Sequence, residues 1–302
     1  MFNDFKDRYM RRLTAVLLIF IAANVFGQEK TNVSGTVEWD TMQVNARFTL
    51  NLAAAGLRLP AGRTQAETLL ASGFFDLIQP HIYSLQVDSS STIADLIARG
   101  ELNYADIESF LLTVSSIAPA LSPDMRNITA SHNIPLTNLS LSLLRHNRPS
   151  PVTRTLSNVS AAQYTGIIII AVDSLPVHGM RSSALPVPCM FPKIWDSEMN
   201  LIYERSMFDY RSSSGYAPMA RYSSLSNIFM DNPSGLSGEI KEIVGERPLR
   251  IFARGVFGIK PTDLIIDRND SLLIISSEEN RRLLTQGRVV FIMDESVLRY
   301  EF

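Results

Sequence analysis

"GIIIIAV", residues 166–172, holds seven residues and no polar side chain. A strand with one face in water alternates apolar and polar residues, so this run predicts a central strand covered on both sides. Downstream, "PKIWDSEMNLIYE" (192–204) predicts a hairpin with its turn near Asp196–Asn200. Further on, Leu249, Ile251 and Ala253 share one face of a strand, and "DLIID" (263–267) reads as another. Gly255, Gly258, Pro261 and Thr262 lie between these two strands, and Asp263 opens the second. G-x-x-G is not the G-x-G-x-x-G of a dinucleotide site, and no helix follows directly to receive a phosphate. The expectation is a structural loop, with the glycines supplying positive φ and Thr262 or Asp263 accepting from loop N–H groups. Residues 270–286 read as helical in two pieces, with Gly287 suited to the C′ position, and "RVVFIMD" (288–294) as the last strand.

Upstream, "TMQVNARFTLNL" (41–52) alternates without a fault and predicts a half-buried strand, with "GTVEWD" (35–40) as its hairpin partner. Thr64 and Glu67 in "TQAE" suggest a capping box, and the helix after them is expected to run until Pro80. Two more helices are expected, one from Ser91 or Thr92 to Gly100, the other from Asn103 with the stripe Ile107, Phe110, Leu111, Val114. "LSLSL" (139–143) has period two and reads as a strand. The predicted class is α+β: an antiparallel or mixed sheet, with helices grouped between residues 64 and 118, after a signal peptide. The expected divisions are 1–27, a signal peptide; 28–160, an α+β part; and 161–302, a strand-rich part with a terminal helix and strand. The last two are compatible with one continuous domain.

The signal reading rests on the Arg11–Arg12 pair, an apolar run of about 15 residues, and Val25 and Gly27 spaced before Gln28. An uncleaved anchor is the alternative, and with it the one expected membrane contact. Net charge is -2, from 28 Lys+Arg against 30 Asp+Glu. Such a balance gives no footprint for nucleic acid.

One cysteine, Cys189, allows no internal disulfide, and its apolar surroundings suggest an inert thiol. The four histidines show no metal-ligand spacing, so neither a metal nor a cofactor is expected. Asp173, at the exit of the apolar strand, is a candidate catalytic carboxylate if His178, Asp196 or Glu198 reaches it; capping of the turn is the plainer role. Tyr210, Tyr216 and Tyr222 lie in or beside irregular stretches and are candidate stacking surfaces for a ligand or partner.

"YTGIIIIAV" (164–172), "PKIWDSEMNLIY" (192–203), "ERPLRIFARGVFGIKPTDLIIDRND" (246–270) and "NRRLLTQGRVVFIMD" (280–294) occur in that order. The series resembles a group of exported bacterial envelope proteins of spirochaetes and deltaproteobacteria. That group looks related to the small outer-membrane lipoprotein family of Helicobacter and to the N-terminal region of flagellar assembly protein T. Gly35, Trp39 and the helix from Thr64 match its upstream elements. This chain departs where "IIIIAVDS" replaces "LIIDARG" and where "DSEMN" lacks the turn glycine. The resemblance implies no catalytic residue. It implies a non-enzymatic periplasmic or outer-membrane-associated protein with a structural or assembly role, in contact with envelope or flagellar proteins. The rival readings are a small-ligand or glycan-binding module using the loops at 173–192 and 205–238, and a hydrolase centred on Asp173.

Overall fold

The computed structural model describes residues 30–114, 116–144, 146, 148–155, 161–211, 219–228 and 235–302. The expected signal segment, residues 1–27, and Tyr216 lie outside the described residues. The fold is α+β, with both antiparallel and parallel strand pairs.

The first strands are β1 (Thr31–Glu38) and β2 (Gln43–Asn51). In β2 the expected alternation holds: Val44, Ala46, Phe48 and Leu50 are buried and Arg47 is exposed. Helix α1 (Gly62–Tyr83) follows, then the ribbon β3 (Gln86–Asp88) and β4 (Ser91–Thr92). Helices α2 (Ile93–Ala98) and α3 (Tyr104–Leu112) stand where the sequence puts them.

The capping box does not fall at Thr64. Helix α1 starts two residues earlier, and Glu67 pairs with Arg63 at 2.9 Å instead. The reciprocal box forms at Thr92 and Asp95, opening α2. Pro80 sits inside α1 and does not end it.

Next come β5 (Ser116–Leu121) and β6 (Asn127–Pro135), neither expected from the sequence, and α4 (Leu136–Ser142). So "LSLSL" is mostly helix, not strand. Leu136, Leu139 and Leu143 also satisfy a helical period and are buried. The Ser140 and Ser142 hydroxyls donate to carbonyls three residues back, at 2.6 and 2.7 Å.

The C-terminal half contains β7 (Ile167–Ala171), β8 (Leu175–Pro176), β9 (Ser183–Ala184), β10 (Ile194–Asp196) and β11 (Leu201–Tyr203). These are followed by β12 (Arg221–Ser224), α5 (Gly238–Val244), β13 (Leu249–Phe252), β14 (Gly255–Phe257) and β15 (Asp263–Ile266). The chain closes with α6 (Arg268–Ile275), α7 (Glu278–Thr285), β16 (Val289–Met293), α8 (Glu295–Leu298) and β17 (Arg299–Glu301). Gly287 follows α7 at φ 71°.

Three larger sheets result, in the orders β17-β1-β2-β6-β5, β11-β10-β15-β14 and β12-β16-β7-β13. The last is parallel throughout. Every residue of β7 and β16 is buried, as the "GIIIIAV" reading requires. Ile168, Ile170, Val290 and Ile292 pack with Ile240 and Val244 of α5. On the opposite face Phe291 meets the Tyr222 ring at 5.7 Å, and Trp39 stands edge-on to Tyr222 at 6.1 Å. Each fully buried isoleucine contributes on the order of 1.5–3 kcal/mol, which marks this sheet as the core.

Two compact units emerge from the contacts. One comprises Arg47–Phe74, Ile117–Ser131 and the described part of Met1–Val33; there Phe48 meets Phe74 edge-on at 5.4 Å. The other comprises Ser34–Ala46, Phe75–Ser116 and His132–Phe302, and it contains the parallel sheet. No helix among the described residues is long and apolar enough to cross a membrane.

Candidate functional site

The segment between β13 and β15 is more ordered than a loop. Gly255 is not a loop residue: it opens the short strand β14, whose pairing with β15 is antiparallel. Its φ is ordinary, and the reason for glycine is proximity, since a Cβ there would lie 3.0 Å from the Pro176 carbonyl oxygen. Beside it Val256 bridges to Val177, and the His178 N–H donates to the Val256 carbonyl at 2.8 Å. Gly258 needs both freedoms of glycine. Its φ is +113°, and a Cβ would come within 2.3 Å of the Ser89 Cβ.

Asp263 is buried at the start of β15. One oxygen accepts from the Lys193 backbone N–H at 3.1 Å and the Thr262 hydroxyl at 3.3 Å. The other accepts from the Ser89 hydroxyl at 3.0 Å and the Trp195 indole at 3.3 Å. The carboxylate therefore does not serve the N–H groups of its own loop, as the sequence suggests. It ties together three segments: the β3–β4 turn, strand β10 and the Gly258–Thr262 loop. Burial pushes the carboxyl upward; Lys193, Trp195 and Ser89 pull it back without offsetting burial. Two backbone bonds complete the clamp, Lys260 N–H to Ser89 O at 2.9 Å and Val187 N–H to Pro261 O at 3.0 Å.

On this frame stands a partly exposed aromatic group. The Phe257 ring has His178 at 5.9 Å and Trp195 at 5.7 Å, both edge-on, and Lys193 lies 6.0 Å from the Trp195 ring centre. Ile259 is 81% exposed and Met180, in the β8–β9 turn, is 63% exposed.

The hairpin turn is built by Asp196, which is fully buried. Its carboxylate accepts the N–H groups of Glu198 at 3.0 Å and Asn200 at 2.8 Å, and pairs with Arg268. Burial would raise this carboxyl, but the Asn200 side chain and backbone, Arg268 and the Glu198 N–H together hold it below the usual value. The missing turn glycine is replaced by Met199 at φ 61°.

The other candidates separate. Asp173 is exposed, with no hydrogen bond to His178, Asp196 or Glu198 among the described residues. Cys189 is buried and its thiol is pushed far up by burial. Tyr222 is a correction: it is 4% exposed, not a stacking surface. Its hydroxyl donates to the Cys189 carbonyl at 2.8 Å and accepts the Cys189 N–H at 3.1 Å. Tyr210 is exposed and borders a cleft. Among the described residues no cluster of three or more His, Cys, Asp or Glu could hold a metal. Sequence reasoning misses Ser89, Lys193 and Trp195, and no local pattern marks them: Ser89 and Asp263 are 174 positions apart.

Two family models match the chain. Residues 30–142 match the model of the N-terminal domain of Treponema pallidum Tp0624, and residues 166–295 match that of its second domain. The matches indicate a spirochaete-type family. Neither bears on the Helicobacter lipoprotein family or on flagellar assembly protein T, so that part of the resemblance gains no support. No individual curated protein matches the chain. The Asp263 clamp and the apolar loop that it holds both lie within the Tp0624 second-domain match, apart from Ser89, which comes from the first.

Proposed function

We propose that this is a non-catalytic, exported envelope protein with an assembly role, which engages another protein through the loop at Ile259. The observation that carries the reading is an apolar side chain, 81% exposed, on a backbone fixed at both ends. Gly258 is packed on Ser89 on one side, and Asp263 is bonded to Ser89, Lys193 and Trp195 on the other. An isolated exposed apolar residue needs no explanation, but Ile259 follows two residues after Phe257, whose ring meets those of Trp195 and His178. Holding such a group still before contact lowers the ordering cost of binding. The buried acids Asp196 and Asp263 and the thiol of Cys189 are engaged in holding the fold, which supports a binding role over a catalytic one.

Photo-crosslinking in the host tests this. A crosslinking residue at Ile259 is expected to trap a discrete envelope protein, while one at Leu112, also well exposed at 76%, traps none. Flagellar components among the adducts would place the contact at the flagellar apparatus. Equal and diffuse labelling from both positions would reject the reading.

A further inference from the structure

Beyond the end of α4 two adjoining cavities open, of about 310 and 530 Å³, which share Leu144 and His146 in their walls. None of the residues of the Ile259 loop takes part. Their size is that of a site for a small organic molecule.

The walls are richer in cations than in available anions. Arg205 lines the smaller cavity, and Arg148 and Arg211 line the larger. None of the three pairs with a carboxylate among the described residues, where the ion pairs fall elsewhere. Of the acids beside them, Glu101 is taken by Arg99 at 2.5 Å, and Asp209 accepts the Arg211 backbone N–H at 3.0 Å. The Arg205 guanidinium lies 5.6 Å from the Phe191 ring centre, and its Nη1 is buried with no hydrogen-bond partner among the described residues. A buried N–H of a charged group left unpaired is costly, and an incoming oxyanion is its natural partner. His146 donates its Nε2–H to the Phe208 carbonyl at 2.8 Å, so Nδ1 of the neutral ring is an acceptor, suited to a hydroxyl or N–H on the ligand's body and not to its charge. Around these polar groups stand apolar surfaces: Leu141, Leu144, Pro149 and the exposed Tyr210 ring.

We propose that this cleft binds a small organic oxyanion, a carboxylate or phosphate carried on an apolar or ring-shaped body. The guanidinium groups take the charge, and Leu144 and Tyr210 cover the body. This gives Tyr210 a role in binding and leaves Tyr222 to the core.

Ligand-observed NMR titration of the full chain with benzoate, phenyl phosphate and neutral benzyl alcohol tests the proposal. Benzoate or phenyl phosphate is expected to bind saturably, and benzyl alcohol not; the tighter of the two anions identifies the headgroup. The double variant Arg148→Gln with Arg211→Gln alters two exposed side chains, so it is expected to keep its melting temperature. Its affinity should fall about tenfold or more. Tyr210→Ala should weaken binding without changing the preference for an anion. Absence of binding by both anions, equal binding of benzyl alcohol, or full affinity in the folded double variant would overturn the proposal. None of these outcomes touches the contact at Ile259, and loss of that contact leaves this site standing.

Discussion

Removing the Asp263 carboxylate leaves an indole N–H, a serine hydroxyl and a backbone N–H without their acceptor in the interior. Each orphaned buried group costs about 1–3 kcal/mol, so Asp263→Ala is expected to destabilise by about 2–5 kcal/mol. Asp263→Asn keeps one acceptor oxygen but turns an NH₂ toward donors, and should cost about 1–2 kcal/mol. Its pH dependence is the sharper readout. A carboxyl raised on folding contributes most below its ordinary value of 3.8, and that contribution is lost as pH rises through the folded value. The stability advantage of wild type over Asp263→Asn should therefore shrink as pH rises from about 4 upward, measured by thermal melting. An advantage that grows with pH would mean that the hydrogen bonds outweigh burial. Asp196 runs the other way: held low in the fold, it contributes above 3.8 and loses that contribution as pH falls through its folded value.

At the scale of elements, the two glycines of the β13–β15 segment differ in what they require. Gly258→Ala meets both a positive φ and the Ser89 Cβ, and is expected to lower stability by about 2 kcal/mol or more. Gly255→Ala meets only the Pro176 carbonyl at 3.0 Å, which short β8 can yield to, and should cost about 1 kcal/mol. Chemical denaturation of both variants checks the order. A greater loss at Gly255 would show that β8 is more firmly held than its two residues suggest. In the β10–β11 turn, Met199 occupies a left-handed conformation at φ 61°. Met199→Gly relieves about 1–2 kcal/mol of backbone strain and loosens the unfolded chain by about 0.5–1 kcal/mol. A small net gain in melting temperature is expected; a loss would mean that the Met199 side chain packs usefully in the turn.

For the molecule as a whole, resistance to opening should follow burial. β7 and β16 are buried at every residue and lie between neighbours in a parallel sheet. β5 is an edge strand carrying Pro119, and most of its residues are exposed. Hydrogen exchange is expected to be slowest in β7 and β16 and fast in β5. Fast exchange in β7 would deny the parallel sheet its place as the core.

Several features are legible in the order of residues alone. "GIIIIAV" has to be a covered strand, because no face of it tolerates water, and the alternation of residues 41–52 decides which side chains are buried. The hairpin at Asp196–Asn200, the helix from Asn103 and the two-piece helix before Gly287 are set by local turns and periods. "LSLSL" is not decidable locally, since its leucines fit period two and a helical period alike; burial of Leu136, Leu139 and Leu143 chooses the helix. Tyr222 carries no mark distinguishing it from Tyr210, and only packing against Trp39 and Phe291 buries it. The clamp is the least visible. Asp263 in sequence is one aspartate after a Pro-Thr pair, and its role depends on Ser89 and Lys193 arriving from far along the chain. Local sequence determines what a segment prefers when its neighbours are water. Which buried donors a carboxylate meets, and which guanidinium groups share a cleft, is decided by long-range contacts that have no period to read.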